Sequence, residues 1–132
     1  MKILTVGDVV GECGLNFIMR NLPRVIKENE IDFTIVNGEN VLTGSGINLA
    51  SAEVILNAGA DCITLGNHTY SKKDVDKAFQ KYPKNVIRPI NFDGSLEGEG
   101  YTVLDVKGYT VGVINLLGRV YLLNVNCPFL AA

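Results

Sequence analysis

The chain is poor in charge, nearly without histidine, and has no long apolar run. Charged residues make up 20% of its 132 positions and hydrophobic ones 47%, against roughly 25% charged in an ordinary soluble domain. That balance excludes an intrinsically disordered chain. No stretch approaches the roughly 18 to 20 apolar residues that span a bilayer. The apolar start Met1–Gly7 is cut by Asp8, too early for the hydrophobic core of a secretory signal. Three cysteines, at positions 13, 62 and 127, form no CxxC pair, and an odd number provides no disulfide framework. A reduced, cytoplasmic setting is expected. The 12 basic and 14 acidic residues are interspersed, no basic block exceeds Lys72-Lys73, and the net charge is −2. Neither a membrane partner nor a nucleic-acid footprint is expected.

Glycine is what the chain has in excess: 14 residues, about 11% against a usual ~7%. The length suits one domain over 1–132 that buries roughly 68% of its unfolded surface. Lys2–Val6 reads as a strand ended by Gly7-Asp8. A helix is expected from about Leu15 to Glu28, with Phe17, Ile18, Leu22, Val25 and Ile26 on one stripe and Pro23 kinking it or starting a second helix. Phe33–Val36 is a second strand, ended by Gly38-Glu39-Asn40. After the polar loop Thr43–Asn48 a helix is expected to Ala58, with Gly59 as a left-handed cap. Asp61–Leu65 is the third strand, ended by Gly66-Asn67-His68. Ser71-x-x-Asp74 has a capping-box pattern opening a helix to Lys81. Val86–Ile90 is a brief strand interrupted by Pro89, and Gly94–Gly100 a turn-rich loop. Tyr101–Val106 and Thr110–Asn115 flank Lys107-Gly108 as a hairpin. From Gly118 an irregular course is expected. The order β-α-β-α-β-α followed by a hairpin predicts an α/β fold with a parallel βαβαβ core, its first three strands side by side and pointing the same way.

Three of those strands end alike, in a glycine followed by Asp8, by Glu39-Asn40 and by Asn67-His68. Asp8 and Glu39 are 31 residues apart and Glu39 and Asn67 are 28, each close to the roughly 30 residues of one βαβ unit. Strands of a parallel sheet share one carboxyl edge, and ligands bind there. The five side chains should therefore converge. Two carboxylates, two carboxamides and an imidazole suit hard or borderline divalent metals. Two such ions about 3.5–4 Å apart, one carboxylate bridging them, can direct a bound hydroxide at phosphorus, while His68 protonates the leaving alkoxide.

Each residue also has a plainer reading. An Asp or Asn after a strand is most often a turn or cap residue, and a lone loop histidine is more often a hydrogen-bonded structural group than a catalyst. Repetition at three strand ends favours the functional reading. Other motifs are weaker. Gly7–Gly14 resembles a phosphate loop but lacks the G-K-[ST] ending, and it is not GxGxxG. Thr43-Gly44-Ser45-Gly46 could offer amides to a phosphate or be a plain loop. Cys62 reads as core packing; Cys13 is a ligand or a bystander. Arg88 and Arg119 are substrate-phosphate contacts or solvated charges.

ILTVGDVVG, DFTIVNGEN, GADCITLGNHTY, IRPINF and VINLLGRV, followed by CPFLAA, resemble in order and spacing the motifs of the YmdB-like family of calcineurin-type metallophosphoesterases, over nearly the whole chain. Val10 stands where the wider superfamily has the histidine of an Asp-x-His. The resemblance implies that this is the N-terminal half of a four-layer αββα metallophosphoesterase sandwich. It implies two divalent or iron-type ions, iron or manganese, with Asp8 on one, Glu39 bridging, Asn40 joining the first and Asn67 the second. It makes His68 the proton donor and the substrate a small phosphodiester, a cyclic nucleotide of the 2',3' type. The family's further histidine ligands, including a Gly-His-x-His segment, have no counterpart here, because His68 is the only histidine. A truncated domain is therefore expected, with half the sandwich missing and the hairpin uncovered on one side. The alternative is a catalytically silent nucleotide-binding or assembly module, with a homo-oligomer burying the exposed sheet.

Overall fold

A computed structural model of the chain describes residues 1–122 and 124–132. Four short strands, β1 (Ile3–Val6), β2 (Phe33–Asn37), β3 (Cys62–Thr64) and β4 (Val86–Ile87), form a parallel sheet in the order β1-β2-β3-β4. Ile3 pairs with Phe33, Ile35 with Cys62, and Ile63 with Val86. The connecting helices are α1 (Gly11–Asn29), α2 (Leu49–Asn57) and α3 (Val75–Lys81). Because the strand order never reverses, every right-handed crossover lands its helix on the same face. The other face is left for the hairpin β5 (Tyr101–Val106) and β6 (Tyr109–Ile114), a separate antiparallel sheet.

The alternation of β2 makes these layers. Val36, with Ile63 and Val86 from its neighbours, faces Ile18, Leu22, Ala52, Ile55, Ala78 and Phe79 of the helices. Phe33 and Ile35, with Cys62 and Ile87, pack instead on Val111, Val113, Leu104 and Val106 of the hairpin. Phe33, Ile55, Ile63 and Ile87 are fully buried, each worth about 1.5–3 kcal/mol in removed apolar surface. Helices, parallel sheet and hairpin are three layers in the order α-β-β. On the hairpin's far side Tyr101, Val103 and Ile114 are each more than half exposed, so that face is uncovered as expected.

The boundaries differ from the sequence reading in instructive ways. α1 starts at Gly11, four residues before Leu15, and runs through Pro23 as one 19-residue helix rather than two. A helix-interior proline costs roughly 3 kcal/mol in isolation. Here the neighbouring Leu22 and Ile18 are buried against the sheet while Pro23 is exposed, where water can take the carbonyl that proline leaves unpaired. α2 is capped by Asn48, whose side chain accepts from the Ser51 amide at 2.9 Å, and Gly59 after it has φ +110°. The Ser71–Asp74 capping box does not form: Asp74 makes no side-chain cap bond, and the Ser71 hydroxyl lies 3.3 Å from His68 Nδ1. The fourth strand stops at Ile87, before Pro89. Past Gly118 the chain is irregular as expected, Leu123 lying outside the described residues, until the short helix α4 (Pro128–Ala131).

Candidate functional site

The loops after β1, β2 and β3 are stitched together at the carboxyl edge by their backbones. Val9 N–H donates to Asn37 O at 3.1 Å, Gly11 N–H to Asn40 O at 2.9 Å, and Gly38 N–H to Thr64 O at 3.0 Å. Asp8 sits in this stitch with φ +21°, a backbone position that only tight tertiary contacts hold. From the other end, the Asn115 side chain donates to Leu65 O at 2.6 Å, fixing the end of β6 on the residue before Gly66.

Four of the five expected residues meet here in two pairs, Asp8 with Asn40 and Glu39 with the backbone of His68. Asn40 Nδ2 donates to Asp8 Oδ1 at 2.7 Å. The amide of His68 donates to Glu39 Oε2 at 3.0 Å. Asn67, the fifth, lies between Gly66 and His68 and is half-buried. Gly66 forms the floor under Glu39: a Cβ there would overlap both carboxylate oxygens. So this glycine is required by close approach, whatever its φ. The turn itself is locked by fully buried Thr69, whose hydroxyl donates to Gly66 O at 2.6 Å.

Asn40 Oδ1 is buried and has no hydrogen-bond partner among the described residues. Leaving such an oxygen unpaired costs about 1–3 kcal/mol, and a cation would satisfy it. The Nδ2 contact with Asp8 sets the direction of that oxygen, so one residue orients a donor of the other. Among the described residues, no three His, Cys, Asp or Glu side chains gather into a metal group. The donors that this chain brings to the edge are thus mixed, two carboxylates with carboxamides, which is a chemically apt set for hard or borderline divalent ions but a sparse one for two of them.

Other expected candidates are placed elsewhere. Arg88 is buried, and its guanidinium donates to the carbonyls of Gly98 (2.9 Å), Pro89 (2.9 Å) and Leu96 (3.3 Å). It ties down the 94–100 loop and is not a free phosphate contact. Arg119 is exposed beside Cys127. Residues 11–14 of the glycine-rich stretch are the first turn of α1, so only Gly7–Val10 of it precedes the helix. Cys13 is exposed and lines a shallow apolar groove with Asp8, Val10 and Phe17. Cys62 is core packing as expected, and burial pushes its thiol up to about 12.

Two neighbours of His68 escape a reading of the sequence. Ser45 Oγ and Ser71 Oγ both lie 3.3 Å from Nδ1. Ser45 stands in a loop whose role the sequence leaves open, and Ser71 has the pattern of a cap; no local pattern reports a contact across 23 residues.

Comparison with known proteins gives the chain a family. A family model described as YmdB-like protein matches residues 4–132. A Bacillus subtilis (strain 168) relative named 2',3'-cyclic-nucleotide 2'-phosphodiesterase is 39% identical over 132 residues, all of this chain and 50% of that protein. The crystal structure of a hypothetical protein from Thermus thermophilus superposes with a TM-score of 0.91 at 32% identity, covering 99% of this chain and 50% of the other. A structure described as a novel phosphatase, from Mycoplasma pneumoniae, gives 0.86 at 35% identity, covering 98% and 48%. The chain spans about half the length of the curated relatives it matches.

Proposed function

The chain belongs to the YmdB-like protein family, and from that premise we propose that it supplies the amino-terminal half of a dinuclear-metal phosphodiesterase acting on cyclic nucleotides of the 2',3' type. The observation that carries the reading is the edge itself. Asp8, Glu39 and Asn40 come together from two strand ends with the His68 loop bonded to Glu39, and a buried carboxamide oxygen there lacks a partner among the described residues.

Asp8 and Asn40 would hold one ion, Glu39 would bridge, and Asn67 would serve the second. Two bound ions, of iron or manganese type, supply Lewis acidity toward the phosphoryl oxygens and make water nucleophilic at neutral pH. The protein's own residues do the rest. Asp8 fixes the Asn40 amide through the 2.7 Å bond. Gly66 leaves room for the Glu39 carboxylate, and the His68 amide holds one of its oxygens. The His68 ring delivers a proton to the ribose oxygen that departs when the cyclic phosphodiester opens. The Bacillus relative is named for an activity of this kind, and the missing imidazole ligands would come from a second half like that of the relatives.

The test is hydrolysis of 2',3'-cyclic AMP with added Mn²⁺, by this chain alone and by this chain joined to the carboxyl-terminal half of the Bacillus relative. Turnover by the joined protein that falls about 10²–10⁴-fold in His68→Ala, and is also lost in Asn67→Ala, supports the reading. A folded joined protein with no turnover leaves the silent nucleotide-binding or assembly module instead, a reading that the sparse donor set favours.

A further inference from the structure

The histidine that the proposed reaction uses is flanked on one ring nitrogen, while the other has no hydrogen-bond partner among the described residues. Ser45 Oγ and Ser71 Oγ approach Nδ1 from two different loops, each at 3.3 Å. Neither approach is accidental in the backbone. The 43–46 loop turns through left-handed conformations at Thr43 (φ +45°), Gly44 (φ +77°) and Gly46 (φ +86°). Its end is fastened by the Gly46 amide to Glu39 O. Gly46 packs so closely on Lys72, the residue after Ser71, that a Cβ would lie 2.8 Å from Lys72 Cγ. The two serine loops are therefore pressed together over the imidazole, and one of them is bonded to the Glu39 backbone.

From this geometry we infer that Ser45 and Ser71 are positioning residues that hold His68 in the Nδ1–H form, leaving Nε2 as the nitrogen that exchanges the proton with substrate. A lone pair on Nδ1 would accept from one hydroxyl only. An N–H can be shared between two oxygens in a three-centre bond, and the two equal, rather long distances suit that arrangement. A neutral histidine's tautomer is set by the partner of its other nitrogen. The same fixing also aims the ring, so Nε2 points away from both serines. The assignment of His68 as proton donor rests on the function proposed above; the tautomer and its cause do not.

Because the chain has a single histidine, ¹⁵N-histidine labelling reports one ring. Long-range ¹H–¹⁵N spectra at a pH where the ring is neutral should show the proton on Nδ1. The double variant Ser45→Ala/Ser71→Ala should move it to Nε2, the form free histidine favours, with the amide spectrum otherwise preserved. Ser45→Thr, which keeps a hydroxyl, should retain the Nδ1–H form. A wild-type ring protonated on Nε2, or an Nδ1–H ring that survives loss of both hydroxyls, overturns the inference. Should the double variant not fold, the wild-type ring decides: a proton on Nε2 overturns the inference, and a proton on Nδ1 supports it. A second readout uses the joined, active protein. Ser45→Ala should cost about tenfold more kcat on 2',3'-cyclic AMP, with its poor alkoxide leaving group, than on bis(p-nitrophenyl) phosphate; equal losses on both substrates would also overturn it. If the joined protein is inactive, the function fails while the ring spectra still decide the tautomer.

Discussion

Gly66 illustrates how much one absent methyl group does at this edge. Its place is taken by the Glu39 carboxylate, so Gly66→Ala must displace either the β3 loop or Glu39. Overpacking of this kind costs typically about 1–3 kcal/mol, and the expected outcome is a lower urea midpoint. Unchanged stability would show that the carboxylate has another place to go. Asn91 works in the opposite way, by what it holds. Fully buried, it donates to Leu117 O (2.8 Å) and Asn126 O (3.0 Å) and accepts from Leu117 N–H (2.9 Å). Asn91→Leu strands a buried amide and two carbonyls, so a loss of about 1–3 kcal/mol or more is expected in denaturant unfolding, with faster proteolysis between 118 and 126. Cys62 and Cys13 differ in the same local sense: with its thiol pushed up to about 12 by burial, Cys62 should react with a thiol reagent only after unfolding. Exposed Cys13 should react in the native state, and equal rates for the two would contradict the packing.

The elements themselves are largely legible in the sequence, because helix and strand periodicity is local. β2, β3 and the hairpin fall within a residue or two of their expected bounds. The misses have physical causes. Pro23 looks like a break because propensity counts the lost hydrogen bond and not the buried Ile18–Leu22 side that carries the helix through. The capping box fails because α3 begins at Val75, which puts Asp74 rather than Ser71 at the N-cap. At the hairpin turn, Lys107 Nζ meets Asp32 Oδ1 at 2.7 Å, joining β5–β6 to the residue before β2. The Lys107 side chain, then the Lys2 amide, hold the Asp32 carboxyl below the usual carboxylate range. A lowered native pKa stabilises the fold above the unfolded value, and that contribution is lost as pH falls below about 4 and through the native pKa. Asp32→Asn should therefore flatten part of the acid limb of stability against pH. Because the pair is exposed, the effect should be small at neutral pH and shrink in high salt; an acid limb identical to wild type would remove Asp32 from it.

For the whole molecule, the unreversed strand order has the largest consequence. It puts all three crossover helices on one face and the hairpin on the other, so the hairpin's outer side, with Tyr101, Val103 and Ile114, faces water. Exposed apolar patches of this kind favour association. The 132-residue chain should bind an apolar dye and self-associate in sedimentation with rising concentration, and Val103→Lys/Ile114→Lys should reduce both. A dye-silent monomer at high concentration would show that the patch is too small to matter.

The sequence by itself determined which residues stand at the strand ends and that those ends share an edge. A glycine before Asp8, Glu39 and Asn67, at one βαβ interval each, is a local pattern, and the handedness of crossovers converts it into convergence. Tertiary structure alone decided what those residues touch. The Asn40 oxygen, unpaired among the described residues, the two serines on His68, the burial of Arg88 and the bond from Asn115 to Leu65 across 50 residues all depend on how separate loops settle against one another. Hydrogen-bond partners are chosen by distances between segments, and no periodicity along the chain encodes those distances.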